Sequence, residues 1–390
     1  MNEIIDDDEN FEELYGEWRP SLYDAAMADA QHFSLLVGGP RWDDPYTIVL
    51  IRDLENETFS RHDVRRYLVD IRVMPVDRTN EKDQPSYVAL SQSGDIYIFG
   101  PKATEHLIVP GSLAESDDMP DIRFRSIRPY DKRFLVAGSD GFLKLGGGDS
   151  WEDVAPPLDI EYPYRVARWS ILGINANGDI YVVGSQEADA RHFILGPDHP
   201  LYDESMSERD RETLEDDLYN KKFTYPALKT LFIGRPGAWK RQELPERIAK
   251  SMPPDAFVSS MISDEKGDDY LIGSDGLILK GDPSDGFVEI GFSGDRDKNF
   301  YEVTLWENDL ILSGSTQIYR FDGHSTSLLK VKVKQEPYMV ETSKLDVQEN
   351  MLYLFDYSLR YFAFDGEEWQ QYDLPQELTE RPFKGNPPKK

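Results

Sequence analysis

The sequence of 390 residues contains no cysteine. A chain without thiols cannot form a disulfide framework, a thiolate zinc site, an iron–sulfur centre or a cysteine nucleophile. Histidine is also scarce, and no spacing among the residues present places two imidazoles on one metal ion. The histidines are His32, His62, His106, His192, His199 and His324. We therefore expect neither a metal nor another cofactor.

Long apolar runs are missing as well. No stretch approaches the ~18 apolar residues of a membrane span. The segment 1–18 has neither the basic nor the apolar region of a secretory signal peptide. The expected location is the cytoplasm.

Positive charge is in short supply. Lys and Arg together number 43 against 73 Asp and Glu, so the formal net charge is -30. Such a field repels phosphate backbones and anionic lipids, which makes nucleic acid and membranes unfavourable ligands, and it attracts basic proteins over a long range. The alternative is that acidity serves solubility alone.

Motifs for catalysis are likewise absent. The segment 295–306 begins like a calcium-binding loop, but Phe300 replaces the required glycine and Trp306 the required glutamate. The segment GDSWE, Gly148 to Glu152, lacks the second glycine of a nucleophile elbow. No phosphate-binding loop or dinucleotide fingerprint occurs. Carboxylate pairs are uninformative, because so many acidic residues place some pair at a suitable separation by chance.

A repeat of about 40 residues is present, which is typical of propellers. Its central unit is a turn-forming pair, four or five strand-forming residues and a glycine. The copies end at Gly100, Gly138, Gly184, Gly273 and Gly314, at intervals of 38, 46, 89 and 41 residues, and a copy without the glycine spans 349–357. Strand-like segments flank each copy.

Two further patterns concern the outermost strands and the number of sheets. A Gly–Trp–Pro mark recurs at Trp151, Trp239 and Trp369, and we interpret it as the outermost strand, with Trp packed on the next sheet. Segments 32–39, 46–53, 57–62 and 66–75 parse as one more sheet. The sequence thus predicts an all-β fold, a seven-bladed β-propeller of four-stranded antiparallel blades with one helical insertion. A β-sandwich array or a solenoid is the alternative.

The interval of 89 residues contains the insertion, at about 197–228. Ser205 and Glu208 fit a helical capping box, and Leu214 and Leu218 then lie on one face with Tyr219 beside them. The other faces would carry an acidic ridge, which is our candidate partner-binding site. Its residues are Glu208, Asp210, Glu212, Glu215, Asp216 and Asp217. The alternatives are a solvated helix without a partner and a decayed eighth blade.

The expected domain organisation has three parts. An acidic N-terminal arm covers 1–31, the propeller covers 32–376 and a tail covers 377–390. The arm carries Asp6, Asp7, Asp8, Glu9, Glu12 and Glu13, and it either docks a basic partner or is a frayed end.

Two repeats resemble a known family. The segments 137–157 (AGSDGFLKLGGGDSWEDVAPP) and 272–290 (IGSDGLILKGDPSDGFVEI) are similar to BNR (bacterial neuraminidase) repeats and to photosystem assembly factors. The resemblance implies a propeller scaffold. Sialidases have a cluster of arginines, a Tyr–Glu pair and an aspartate that acts as the acid, and we find no counterparts of these residues in this sequence. The resemblance therefore does not extend to hydrolysis.

Three functional hypotheses follow. The first is a non-catalytic binding module that captures a basic protein, for example an immunity protein that neutralises a basic bacterial toxin. The second is a glycoside hydrolase or lyase that uses carboxylates in the channel. The third is a structural subunit of a larger assembly. The absence of catalytic motifs favours the first.

Overall fold

The computed structural model describes residues 20–38, 45–53, 58–75, 85–100, 104–115, 122–160, 164–188, 207, 209–210, 213–214, 227–251, 257–291, 293–331 and 341–380. Within these ranges the strands form seven antiparallel sheets, each built from strands that are consecutive in the chain. The sheets are the blades of a seven-bladed β-propeller, as the sequence predicts.

The strands of the first four blades follow the chain. Blade 1 contains β1 (Ser21–Met27), β2 (His32–Gly38), β3 (Thr47–Asp53) and β4 (Thr58–Val64). Blade 2 contains β5 (Leu68–Val73), β6 (Tyr87–Ser91), β7 (Asp95–Phe99) and β8 (Thr104–Ile108). Blade 3 contains β9 (Phe124–Tyr130), β10 (Arg133–Gly138), β11 (Leu143–Gly147) and β12 (Ser150–Asp153). Blade 4 contains β13 (Tyr164–Ile174), β14 (Ile180–Ala188), β15 (Ala227–Arg235) and β16 (Ala238–Gln242), and the two-residue strand β17 (Lys250–Ser251) pairs with β15.

The last three blades repeat the pattern. Blade 5 contains β18 (Val258–Ser263), β19 (Asp269–Gly273), β20 (Ile278–Asp282) and β21 (Gly286–Glu289). Blade 6 contains β22 (Glu302–Trp306), β23 (Asp309–Ser313), β24 (Ile318–Phe321) and β25 (Thr326–Leu329). Blade 7 contains β26 (Thr342–Gln348), β27 (Met351–Asp356), β28 (Arg360–Phe364) and β29 (Trp369–Asp373). Two short helices are α1 (Glu246–Ala249) and α2 (Gln376–Thr379), and one 3₁₀ turn covers Ser293–Asp295. No helix in the described ranges is both long and apolar enough to cross a membrane.

Tight turns fix the strand register. Glu307 and Asn308 have φ values of 51° and 68°, and Glu349 and Asn350 have 52° and 65°. Two successive positive φ values are the geometry of the two-residue hairpin turn whose twist matches the flanking strands. Glu349 and Asn350 are the turn-forming pair that the sequence repeat predicts, whereas in the preceding copy the turn lies one residue earlier than the predicted pair Asn308–Asp309.

The core is divided into seven apolar clusters, one at each junction between neighbouring blades. The cluster that joins blade 7 to blade 1 contains Phe33, Leu35 and Phe355, all at most 1% exposed. Burial of such side chains contributes about 1.5 to 3 kcal/mol each. The ring is therefore closed by side-chain packing between blades, and among the described strands none is shared between blade 7 and blade 1.

The outermost strands carry the predicted tryptophans. Trp151, Trp239 and Trp369 lie on β12, β16 and β29. The indole of Trp239 donates a 2.9 Å hydrogen bond to the Val154 carbonyl. Val154 follows blade 3, so this tryptophan contacts the preceding blade, whereas the sequence suggested the next one.

The strand assignment of blades 1 and 2 differs from the prediction. The segment 66–75, assigned to the first sheet, supplies β5, the inner strand of blade 2. The inner strand of blade 1 is instead β1, which lies within the segment assigned to the N-terminal arm. At the other end, α2 extends the packed structure into the predicted tail, and Thr379 is buried. The rest of the predicted arm, 1–19, lies outside the described residues.

The long interval in the repeat is an insertion within one blade. Blade 4 resumes at β15 after 189–226, and β14 and β15 are hydrogen-bonded neighbours. The second strand of a blade runs antiparallel to the inner strand and ends where the inner strand begins. We call this side of the ring the entry face and the opposite side, where the inner strands end, the exit face. The insertion leaves from the entry face.

Candidate functional site

A cavity of about 580 Å³ lies in the central channel and is lined by residues of all seven inner strands. Its lining includes residues near the ends of these strands, such as Met27 and Ser263, and Ala176 in the turn after β13. The cavity therefore extends toward the exit face. Its volume falls within the range of about 300 to 1,000 Å³ that is usual for ligand pockets.

Asp24 and Asp70 link the inner strands of blades 1, 2 and 3. Each follows a register irregularity in its strand. The Asp24 carboxylate accepts a 2.9 Å hydrogen bond from the Ile71 amide in blade 2, and the Asp70 carboxylate accepts a 2.7 Å bond from the Ile127 amide in blade 3. The two carboxylates thus satisfy backbone donors on the channel-facing edges of the sheets.

Two arginines compensate these carboxylates. Arg72 lies 2.6 Å from Asp70 and 3.6 Å from Asp24, and Arg128 donates a 2.7 Å hydrogen bond to Asp70. Burial raises the pKa of Asp24 to about 6, because the nearby Arg72 charge offsets desolvation only in part. The arrangement is a structural ion-pair network rather than an acid–base pair with a free proton acceptor.

Blades 6 and 7 contribute a second group of charges. Lys344 donates a 2.7 Å hydrogen bond to Glu302. Asp346, two residues after Lys344, accepts bonds at Oδ1 from the Val347 amide at 2.8 Å and the Gln348 side chain at 3.1 Å. Burial raises the pKa of Asp346 to about 6. Its Oδ2 has no hydrogen-bond or ion-pair partner among the residues that the structure describes.

Arginines also gather at the entry face. Arg125 on β9 and Arg168 on β13 make no salt bridge within the described ranges, and Arg123 lies close to Arg125. Burial, followed by repulsion from Arg168 and Arg123, lowers the pKa of Arg125, and Glu187 counteracts this only in part. The mouth of the channel on this side is thus locally positive in a strongly acidic chain.

Serine, histidine and aspartate side chains from β6, β7 and β8 are connected by hydrogen bonds, but not in the order of a catalytic triad. His106 Nε2 lies 2.9 Å from Asp95 Oδ1, and the hydroxyls of Ser91 and Ser93 donate to Asp95 Oδ2 at 2.9 and 3.0 Å. Burial raises the pKa of Asp95, but the hydrogen bonds from His106 and Ser91 outweigh it, and the pKa is lowered. The carboxylate sits between serine and histidine, so the histidine is not placed to deprotonate the hydroxyl.

The calcium-like segment has a structural role. Asp295 is 2% exposed and binds the Lys298 ammonium and the Thr326 hydroxyl. Within the described part of the chain, no group of three or more His, Asp or Glu residues is arranged to hold a metal ion.

Of the predicted acidic ridge, the described residues include only Asp210. Arg209, Asp210, Thr213 and Leu214 have α-helical backbone. Asp210 is exposed, and its amide donates a 3.2 Å hydrogen bond to the Ser207 hydroxyl oxygen. That hydroxyl in turn donates to the Asp210 carboxylate at 2.6 Å. Ser207 therefore caps this helical segment. The predicted cap, Ser205 with Glu208, lies outside the described residues, as do Glu212, Glu215, Asp216 and Asp217.

The fold and the channel define this chain as a seven-bladed β-propeller. No protein-family model matches the sequence, and no curated protein matches it. The fold is similar to the structure titled "YCF48 bound to D1 peptide", at 12% identity and a TM-score of 0.50 over 93% of this chain and 96% of that one. It is also similar to the propeller domain of the Trilobed protease from Pyrococcus furiosus (10% identity, TM-score 0.50, 90% and 95% covered) and to the Dos1 propeller (11%, 0.51, 89% and 84%). At these identities the similarity establishes the fold alone.

Proposed function

We propose that this chain is a non-catalytic, protein-binding propeller that captures a basic partner through its acidic surface. The net charge of -30 on a rigid ring is the observation that carries the proposal. Such a field raises the association rate of a positively charged protein and repels acidic competitors. The peptide complex of the similar YCF48 propeller is consistent with this class of function.

The channel network supports binding over catalysis. Asp24 and Asp70 are engaged by backbone amides and arginines, and Glu302 is engaged by Lys344. A glycosidase needs one carboxyl group free to donate a proton and a second free to attack or to activate water. Carboxylates that already hold strands together are poorly suited to these roles. Asp346 has one oxygen without a hydrogen-bond partner among the described residues, but a single carboxyl group does not fill both roles.

The acidic ridge of the insertion is our candidate contact surface. The insertion that carries it connects β14 to β15 at the entry face, and Asp210 presents an exposed carboxylate at the start of a helical segment. The arginines around Arg125 limit the acidic area, because a basic partner would be repelled at the channel mouth. We therefore place the contact on the insertion, beside the mouth. An immunity protein that neutralises a basic toxin is one role that such a surface suits.

Two matched variants test the contact surface. The ridge variant replaces Glu208, Asp210, Glu212, Glu215, Asp216 and Asp217 with Gln or Asn, and the arm variant does the same at Asp6, Asp7, Asp8, Glu9, Glu12 and Glu13. Both lose the same charge. Binding to the basic products of the adjacent genes, purified one at a time, is measured by surface plasmon resonance.

We expect the ridge variant to weaken binding about tenfold or more, and the arm variant much less. Equal weakening by both would show that net charge, rather than the ridge, attracts the partner. Turnover of a glycan that is lost in Asp346→Asn would overturn the non-catalytic assignment. For the immunity role, expression of the bound partner alone should arrest growth. Co-expression of the propeller with that partner should restore growth.

A further inference from the structure

Charged side chains gather in the central channel. Four carboxylates, Asp24, Asp70, Glu302 and Asp346, lie there with three cations, Arg72, Arg128 and Lys344. Every one of these carboxylates except Asp346 lies within 4 Å of a cation in the described structure. Lys344 attracts Asp346 only from beyond that distance, and Asp346 Oδ2 has no hydrogen-bond partner among the described residues.

The same cavity has an apolar wall. Ile174 on β13, Met261 and Ile262 on β18, and Met27 on β1 line the volume that Asp346 also lines. Met261 packs directly against the β13 backbone, because a Cβ on Gly173 would lie 2.5 Å from its sulfur. A ligand in this cavity therefore meets methylene and methyl groups from one part of the lining, and from another a carboxylate whose Oδ2 has no hydrogen-bond partner among the described residues.

We propose that the channel cavity binds an alkylammonium or alkylguanidinium group, with Asp346 as its counterion. The apolar stem of such a group packs on Met261, Ile262 and Ile174, and its cationic head donates to Asp346 Oδ2. A charge taken out of water is tolerated only when it is paired and hydrogen-bonded, and Asp346 supplies both.

This chemistry has two sources, a lysine or arginine side chain of a protein and a free small amine. The cavity extends toward the exit face, whereas the insertion with the proposed ridge connects β14 to β15 at the entry face. The inference is therefore independent of the proposed contact surface, and failure of either one leaves the other standing.

The test uses the methionine methyl groups of the full chain as reporters, since Met27 and Met261 line the cavity. Methyl NMR spectra are recorded during titration with n-butylammonium and, as the uncharged control of similar shape, n-pentanol. A second arm uses a short acetylated, amidated peptide with one lysine and the same peptide with norleucine. The variants are Asp346→Asn and, as a matched control, Asp297→Asn, which removes a carboxylate whose side chain is 85% exposed.

We expect n-butylammonium to shift the Met27 and Met261 signals saturably, with a Kd on the order of millimolar or below. Asp346→Asn should weaken this binding about tenfold or more, and Asp297→Asn should leave it within about twofold. Tighter binding of the lysine peptide than of the amine assigns the source to a protein side chain, and the reverse order assigns it to a free amine. Three results would overturn the proposal. They are binding of n-pentanol as tight as that of n-butylammonium, binding of n-butylammonium to Asp346→Asn as tight as to the native chain, and the absence of a shift in either methyl signal.

Discussion

The backbone amide of Leu22 donates a 3.2 Å hydrogen bond to the carbonyl oxygen of Tyr357. This bond joins the inner strand of blade 1 to the turn between the second and third strands of blade 7. In the described part of the chain, each blade is built from consecutive strands, and none of these strands completes the sheet at the other end. This junction therefore depends on packing and on a few side-chain contacts, which include those of Arg61.

We predict that Arg61→Ala weakens the closure of the ring. The Arg61 guanidinium on β4 donates to the carbonyls of Glu377, Leu378 and Glu380 at 3.2, 3.1 and 2.7 Å and so holds α2 against blade 1. Its loss should lower the free energy of unfolding by about 2 kcal/mol. Urea denaturation measures the change. The control Arg133→Ala, which breaks an exposed pair with Glu152, should cost less than about 1 kcal/mol, and equal losses would contradict the prediction.

We predict a larger loss for Asp70→Asn. The substitution preserves shape but removes the charge that faces Arg72 and Arg128, at a residue that is 3% exposed. Arg128 would then lose its carboxylate partner and Arg72 the closer of its two, and the free energy of unfolding should fall by about 3 to 5 kcal/mol. A fall of less than about 1 kcal/mol in urea denaturation would show that the network does not stabilise the inner strands.

We predict that Asp346→Asn stabilises the protein at neutral pH. The pKa of Asp346 is raised from 3.8 to about 6, so between these values the folded state holds a proton that the unfolded state has released. The stability of the native protein therefore falls as pH rises through this window, and the full penalty is present above it. Asparagine carries no such penalty and keeps an oxygen for the Val347 amide.

The stability difference between Asp346→Asn and the native chain is the quantity to measure. It should be close to zero near pH 4 and should favour the variant by on the order of 1 to 3 kcal/mol near pH 7.5. The other titratable and charged groups in the channel, such as Lys344, Glu302 and Asp24, are present in both proteins. A variant that is less stable than the native chain at both pH values would contradict the prediction.

We predict that Arg125→Gln raises stability slightly at low ionic strength. Partial burial, and then repulsion from Arg168 and Arg123, lowers the pKa of Arg125, which means that folding disfavours the charged form. Because the side chain is still accessible to solvent, screening reduces the gain to a few tenths of a kcal/mol. The gain should disappear in about 1 M salt. Urea denaturation measures the change, with Arg133→Gln as the control variant. A loss of stability at low salt in Arg125→Gln would contradict the prediction.

The number of blades could be predicted from the sequence, but the position of each strand within the first two blades could not. SGDIYIFG, 93–100, has the same composition as the second strands of later blades, yet it contains β7, the third strand of blade 2. Second and third strands are both short, buried and bounded by turns, so their patterns are alike. The inner strand β1 carries Asp24 among alanines, and this composition does not suggest a strand.

The charged channel was beyond the reach of sequence reasoning for a related reason. Asp24, Asp70 and Asp346 are separated by long stretches of chain and come together only because each lies on an inner strand of the ring. Among 73 acidic residues, no local signal marks these three. The position of the insertion was predictable, because it interrupts a period that the remaining copies define.

The ionic-strength dependence of partner association tests the central claim most directly. Stopped-flow measurements with the basic partner should show an association rate constant that falls about tenfold or more from low salt to about 0.5 M, while the dissociation rate changes much less. An association rate that stays constant across this range would contradict capture by the acidic surface.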